Sequence, residues 1–181
     1  MSEGGLNLGK WLIVKAALQT FDEVFDVSLR LIARRALTRR ELRQRLKRKG
    51  APDKLIDEVV RLLTSDGYID ERAIAEDVIQ HGRDEKLVGR FFLRHELRAR
   101  GIDEMLIDKV LAKEYPEKTE KQVAHNFIEK KLLRLQTTSS NESNVSPKLE
   151  KSAIQKLAAA LDRRGFSADV ISDIVHSLNR L

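Results

Sequence analysis

The segment Thr38–Gly50, TRRELRQRLKRKG, holds the side chains of this 181-residue chain whose type and spacing point most directly to chemistry. Seven of its thirteen residues are Lys or Arg and one is Glu. Such cations bind phosphates and carboxylates, because each donates several charge-assisted hydrogen bonds. The wider stretch Leu29–Gly50 has ten basic residues and one acidic residue, a net charge of +9, whereas the whole chain carries +6. This asymmetry predicts a polyanionic partner or an acidic protein groove.

The helical periodicity of this segment separates a buried side from a charged side. Leu42 and Leu46 share the first, while Arg40, Arg43 and Lys47 cluster on the second. A further arginine stripe with strict four-residue spacing lies later in the chain. Like charges four residues apart cost roughly 0.2–0.5 kcal/mol per pair, so unrelieved repulsion favours a binding role over a merely solvated face. The predicted binding residues are Arg34, Arg35, Arg39, Arg40, Arg43, Lys47, Arg90, Arg94 and Arg98.

Other residue patterns that could support catalysis or metal binding are weak. The run Gly4–Lys10 has the spacing of a phosphate-binding loop, but Trp11 stands where Ser or Thr would hold Mg²⁺. The four histidines are scattered, and the absence of cysteine excludes disulfides and Cys-ligated metals. No apolar run approaches the length of a membrane span. We therefore predict a protein that is not an enzyme, with no metal, no cofactor and no membrane partner.

The elements that position the cations follow from an internal repeat. Three ungapped stretches of 19 residues align on Gly50, Gly101 and Gly165. In each, leucines lie eight and four positions before the glycine and an isoleucine lies six positions after it. The leucine pair predicts a helix with one buried stripe, and the glycine fits the left-handed position that ends such a helix. The isoleucine then belongs to a second helix that packs against the first.

A third helix is expected in each unit, because two short helices bury little apolar surface. Asp53, Asp103 and Ser167 are the predicted caps of the helices that follow the glycines. The candidates for the additional helices are Asp26–Leu37, Glu71–Lys86 and Glu117–Leu135. The predicted fold is all-α, an elongated monomer of three tandem three-helix modules. Its predicted parts are an amino-terminal extension (1–25), a basic module (26–66), a second module (67–115), and a third module (116–181) with a polar, mobile loop at 137–147.

Two other function classes remain open on the residues alone. The stretch from Arg39 to Asp70 also looks like a winged helix-turn-helix, a DNA-binding transcription factor in which Gly67-Tyr68-Ile69 would open the wing. The helical pattern of DERAIAEDVI directly after it opposes a β-wing. A helical adaptor between proteins, without a role on nucleic acid, is the other alternative.

Three segments resemble the RecX family, the regulators of the RecA recombinase. They are LLTSDGYIDERAIAEDVI (Leu62–Ile79), KLVGRFFLRHELRARGI (Lys86–Ile102) and LDRRGFSADVISDIV (Leu161–Val175). The resemblance extends from about Val27 to the end of the chain, in the order and spacing of the family.

The resemblance implies a curved row of modules that lodges in the helical groove of the RecA filament on single-stranded DNA. It implies that strand exchange is blocked and ATP hydrolysis lowered, and that the chain has no catalytic residues. The partners expected on this basis are the RecA filament and single-stranded DNA, with double-stranded DNA bound at weak sequence preference. The expected location is the cytoplasm, or an organelle if the source is eukaryotic.

Overall fold

The computed structural model describes residues 18–138 and 151–180, and every regular element in these ranges is helical. The helices are α1 (Phe21–Arg34), α2 (Arg39–Arg48), α3 (Asp53–Ser65), α4 (Glu71–His81), α5 (Arg90–Arg100), α6 (Glu104–Glu114), α7 (Glu117–Thr138), α8 (Lys151–Arg163) and α9 (Ala168–Leu178). A π-helical turn, Gly82–Lys86, continues α4. In the same ranges no helix combines the length and the apolar character that crossing a membrane requires. The protein is all-α, with three tandem three-helix modules: α1–α3, α4–α6 and α7–α9.

The first helix begins five residues earlier than the predicted Asp26. Thr20 and Glu23 form a capping box at its start: the Thr20 hydroxyl accepts from the Glu23 amide, and the Glu23 carboxylate accepts from the Thr20 amide. Residues 21–25 of the predicted extension therefore belong to α1. Residues 1–17, including Gly4–Lys10, and most of the predicted loop 137–147 lie outside the described ranges. The predicted domain boundaries stay predictions.

The repeat glycines end helices as predicted, with φ of 81° at Gly50, 82° at Gly101 and 73° at Gly165. Of the predicted caps only Asp103 is confirmed, because its carboxylate accepts from the Met105 amide at 2.9 Å. The prediction for Asp53 is wrong, and the prediction for Ser167 is right in position but not in the side-chain hydrogen bond. Asp53 is the first helical residue, after Pro52 at the N-cap. Ser167 occupies the N-cap of α9, but its side chain caps no amide there.

Two hydrophobic cores hold the modules together. The first lies within α1–α3 and the segment leading to α4, and includes Val24, Leu42, Leu46 and Ile69. The second runs without interruption from Ile74 in α4 to Leu178 in α9. The repeat therefore did not reveal that the second and third modules form one hydrophobic unit, whereas the first keeps a core of its own.

The middle helices of the modules meet end to beginning. The Gly89 amide donates to the Arg164 carbonyl oxygen and the Phe91 amide to that of Gly165, each at 2.9 Å, so the start of α5 adjoins the end of α8. The Thr38 hydroxyl donates to the Arg100 carbonyl oxygen at 2.6 Å, which places the start of α2 at the end of α5. The helices α8, α5 and α2 thus follow one another, and the arginine stripe of the second module adjoins the basic helix of the first.

Candidate nucleic-acid interface

Two cations of α2 are paired with acids of the next helix in the first module. The Arg43 guanidinium bonds to the Asp57 carboxylate, and the Lys47 ammonium lies 3.3 Å from Asp53. All four side chains are about half exposed or more. The pairs fasten α2 to α3 across the module surface, where each contributes about 0–1 kcal/mol.

The second module repeats these pairs 51 residues later. Arg94, equivalent to Arg43, bonds to Asp108 and Glu104, and Arg98 lies 2.6 Å from Glu104. Hydrogen bonds from Arg98 and then Arg94 hold the pKa of Glu104 below its ordinary value. The premise that repulsion along these stripes is unrelieved is therefore wrong: the relief comes from acids on the following helix, which a single-helix wheel does not include.

Arg39 and Arg90 stand at the first turns of α2 and α5 and bind buried acids from the next module. The Arg39 amide donates to Glu71 at 3.0 Å, and its guanidinium lies 2.6 Å from the same carboxylate. The Arg90 amide donates to Glu120 at 3.0 Å, and Arg90 Nε lies 3.2 Å from that carboxylate without hydrogen-bond alignment. Each acid thus satisfies an amide that the helix itself leaves without a partner. These two arginines join neighbouring modules.

Glu120 also explains why Ser167 does not cap its own helix. Its side chain is 1% exposed and accepts from the Ser167 hydroxyl at 3.4 Å, which directs that hydroxyl away from the amides of α9. The same carboxylate accepts from the Ser167 amide at 3.1 Å and from the Arg90 amide at 3.0 Å. One carboxylate on α7 therefore serves the starts of both α5 and α9. No local sequence pattern marks such an acid, because its partners lie 30 residues before it and 47 after it.

A second acid, Glu41, joins the first module to the second. Its carboxylate accepts from Arg35 at 2.8 Å and from two nitrogens of Arg100 at 3.1 Å. Partial burial pushes its pKa upward, but hydrogen bonds from Arg100 and the Thr38 amide, together with the nearby guanidinium charges, outweigh it and leave the pKa below its ordinary value.

Two of the nine predicted binding residues, Arg34 and Arg40, have no carboxylate partner within the described ranges, and both are exposed. On α2, Arg40, Gln44 and Arg48 follow one another at four-residue spacing away from the buried leucines. We call these three residues the outer face of α2. Its two arginines form no ion pair with an acid of the described residues, so their charge is available to a partner. Whether any of the nine binds DNA stays a prediction.

A second basic cluster, which the sequence analysis did not predict, lies between the second and third modules. It surrounds a cavity of about 670 Å³, the module 2–3 pocket. Six basic side chains, one acidic side chain and two phenylalanine rings line it. They are Lys86, Lys130, Lys131, Arg134, Arg163, Arg164, Glu85, Phe92 and Phe127. The signal was present in KLVGRFF and DRRGF, which set cations beside phenylalanines, but only the fold brings these segments to α7.

Comparison with known proteins identifies the family. The chain is 31% identical over 154 residues to the regulatory protein RecX of Mycolicibacterium smegmatis, covering 85% of this chain and 78% of that relative. The chain belongs to the RecX family. The family model for RecX, first three-helix domain, matches residues 25–61. The regulatory protein RecX of Geobacillus kaustophilus is 27% identical over 157 residues, covering 85% of this chain and 54% of that protein. The crystal structure of RecX from Lactobacillus salivarius has the same fold, with a TM-score of 0.74 at 20% identity, covering 89% of this chain and 97% of that one.

The two segments of RecX character that follow the first module meet at one junction. Gly89 of KLVGR lies with its backbone against Gly165 and Phe166 of RRGF, and a Cβ on Gly89 would overlap both. The motif glycine is therefore explained by the close approach of two backbones.

The winged-helix alternative is not favoured in this RecX-family chain. After Tyr68, the residues that would form a β-wing form α4 instead, with the Asp70 side chain capping it by accepting from Arg72 and Ala73 amides. A helix with its own N-cap leaves no extended hairpin to enter a groove.

Proposed function

We propose that this RecX-family protein regulates RecA, mainly as an inhibitor, by binding in the groove of the RecA–single-stranded DNA filament. It blocks strand exchange and lowers ATP hydrolysis there. The observation that carries the proposal is the end-to-beginning order of α8, α5 and α2. A row of similar modules suits a filament, whose subunits also repeat along a line, and tethered weak contacts multiply through effective concentration.

The charge distribution supports the same proposal. Arg34 and the outer face of α2 offer cations without carboxylate partners in the described ranges. The paired arginines can also bind a partner. An exposed ion pair contributes little to stability, so its arginine can leave the protein carboxylate for an anion of the partner at a small cost in free energy. Phosphates and acidic subunit edges of a filament groove would provide such anions.

The test is RecA ATP hydrolysis on single-stranded DNA with this protein titrated into preassembled filaments. We expect hydrolysis to fall, and to stay low when excess single-stranded DNA is added afterwards, because the inhibitor is held by the filament. Full rescue by the added DNA would contradict groove binding and indicate competition for free DNA. If ATP hydrolysis is unchanged and this protein does not sediment with the filaments, the regulatory function is contradicted. The helical adaptor between proteins would then be the alternative that remains.

A further inference from the structure

The module 2–3 pocket has walls from two modules and an aromatic floor. Helix α7 contributes Phe127 and Lys130, α8 contributes Arg163, and the segment around the start of α5 contributes Lys86 and Phe92. Its volume of about 670 Å³ lies within the roughly 300–1,000 Å³ that small-ligand sites use. The pocket is therefore large enough for a flat organic group.

The two phenylalanine rings in the pocket differ in how accessible they are to a ligand. The guanidinium of Arg164 lies 4.6 Å from the centre of the Phe127 ring and bonds to the carbonyl oxygens of Lys86 and Leu87, so this ring is already covered. Phe92 is 38% exposed as a residue, and the Lys86 ammonium lies 5.8 Å from the centre of its ring. Phe92 is thus the aromatic surface that a ligand can reach.

The rim of the pocket provides unpaired positive charge. Lys130 on α7 and Arg163 on α8 are exposed, line the same pocket, and have no carboxylate partner in the part of the chain that the structure describes. Lys86, by contrast, lies 3.2 Å from Glu96. An anionic group that enters the pocket would meet two cations that no acid of the described residues already neutralises.

We propose that the module 2–3 pocket binds one nucleotide of single-stranded nucleic acid, with its base on Phe92 and its phosphate between Lys130 and Arg163. The inference rests on the proposed function, and names the place where this chain holds the single strand. Stacked aromatic rings and cations are the features by which proteins hold single strands without reading sequence. A duplex has no free base face to offer, and an acidic peptide would leave the Phe92 ring unused.

The test uses the full chain without RecA and measures anisotropy of a labelled oligothymidylate. Phe92→Leu keeps an apolar side chain and removes the ring, and is expected to weaken binding roughly 5- to 150-fold, as loss of one stacked base does. The double variant Lys130→Glu/Arg163→Glu should weaken binding at least tenfold and flatten its salt dependence. The control Lys109→Glu/Lys118→Glu makes the same charge change at exposed residues outside the pocket, and should stay within threefold of wild type.

A second readout guards against misfolding of the Phe92 variant. Ultraviolet cross-linking of an oligonucleotide carrying 5-iodouracil to the unaltered protein should label the peptide that contains Phe92. Labelling confined to other peptides, wild-type affinity of both pocket variants, or equal competition by oligothymidylate and polyglutamate would overturn the pocket assignment. If filament ATP hydrolysis is still suppressed in that case, only this inference fails and the proposed function stands.

Discussion

Gly89 lies where the second and third modules meet backbone to backbone, and its replacement by Ala tests that contact. Its φ of −81° is one that any residue adopts. In open space the change to Ala would raise stability by about 0.4–1 kcal/mol, because Ala restricts the unfolded chain. Here the new Cβ would overlap the Gly165 carbonyl oxygen and the Phe166 amide nitrogen, and backbone atoms cannot turn aside as a side chain can.

The cost follows from what must move apart. The Gly89 and Phe91 amides donate to the end of α8 at 2.9 Å, and each such hydrogen bond contributes about 0.5–1.5 kcal/mol. Overpacking of a closely packed site adds about 1–3 kcal/mol. We therefore expect Gly89→Ala to lower the free energy of unfolding by about 2–5 kcal/mol, whereas the same substitution at an open site would raise it.

Urea unfolding followed by circular dichroism at 222 nm measures this change. Gly67→Ala is the matched control, since Gly67 has φ of +79° and nothing within 4 Å of a new Cβ. It should cost only the left-handed conformation, about 1–2 kcal/mol. A Gly89→Ala protein as stable as wild type, or less affected than Gly67→Ala, would refute the backbone contact between the modules.

Three further outcomes follow from the same contacts. Glu120→Ala should lower the free energy of unfolding by about 2–5 kcal/mol, because it leaves the Arg90 and Ser167 amides without their acceptor and the Arg90 guanidinium without its ion-pair partner; a loss below about 1 kcal/mol in urea unfolding would argue against that role. The pKa of Glu41 lies below its ordinary 4.5, so the stability that it adds over Glu41→Gln should be full above that pH and vanish as pH falls through the lower folded value; an advantage unchanged down to pH 2 would be inconsistent with the pairing. Affinity for single-stranded DNA should fall steeply between about 50 and 200 mM salt, and a flat titration would exclude phosphate contacts as its main source.

The helical pattern was readable because its causes are local. The leucine pair of α2 indicates a helix, and Gly50 directly after it indicates where that helix ends. All three repeat glycines have the predicted left-handed conformation. The missing side-chain cap of α9 has a different origin: the hydroxyl and the amide of Ser167 both find their acceptor in Glu120, 47 residues earlier in the chain. Contacts of that separation have no signature in a single sequence.

In the candidate interface, too, local features could be predicted from the sequence and contacts between distant residues could not. The positive charge of the first module was evident from composition, but the partners of its arginines were not. The pair Arg43–Asp57 could have been found from the repeat, because Arg94 and Asp108 stand at the equivalent positions 51 residues later. The module 2–3 pocket could not have been found in this way, since its lining comes from three separate segments that only the packing of the second module against the third brings together.

The most direct test of the proposed function is RecA-driven strand exchange in the presence of Arg34→Glu/Arg40→Glu/Arg48→Glu. These exposed cations have no acidic partner within the described ranges, so the variant should fold as wild type. Arg39 is left unchanged because it holds the buried Glu71. A matched control reverses three exposed cations outside the basic run, Arg61, Arg72 and Lys109.

We expect wild type and control to block strand exchange at the same concentration, and the triple variant to require at least tenfold more, because each reversal turns attraction to phosphate into repulsion. Circular dichroism must show that all three proteins are equally helical. A folded triple variant that blocks strand exchange at the wild-type concentration would contradict the proposed function, since Arg34, Arg40 and Arg48 would then not belong to the surface that meets the filament.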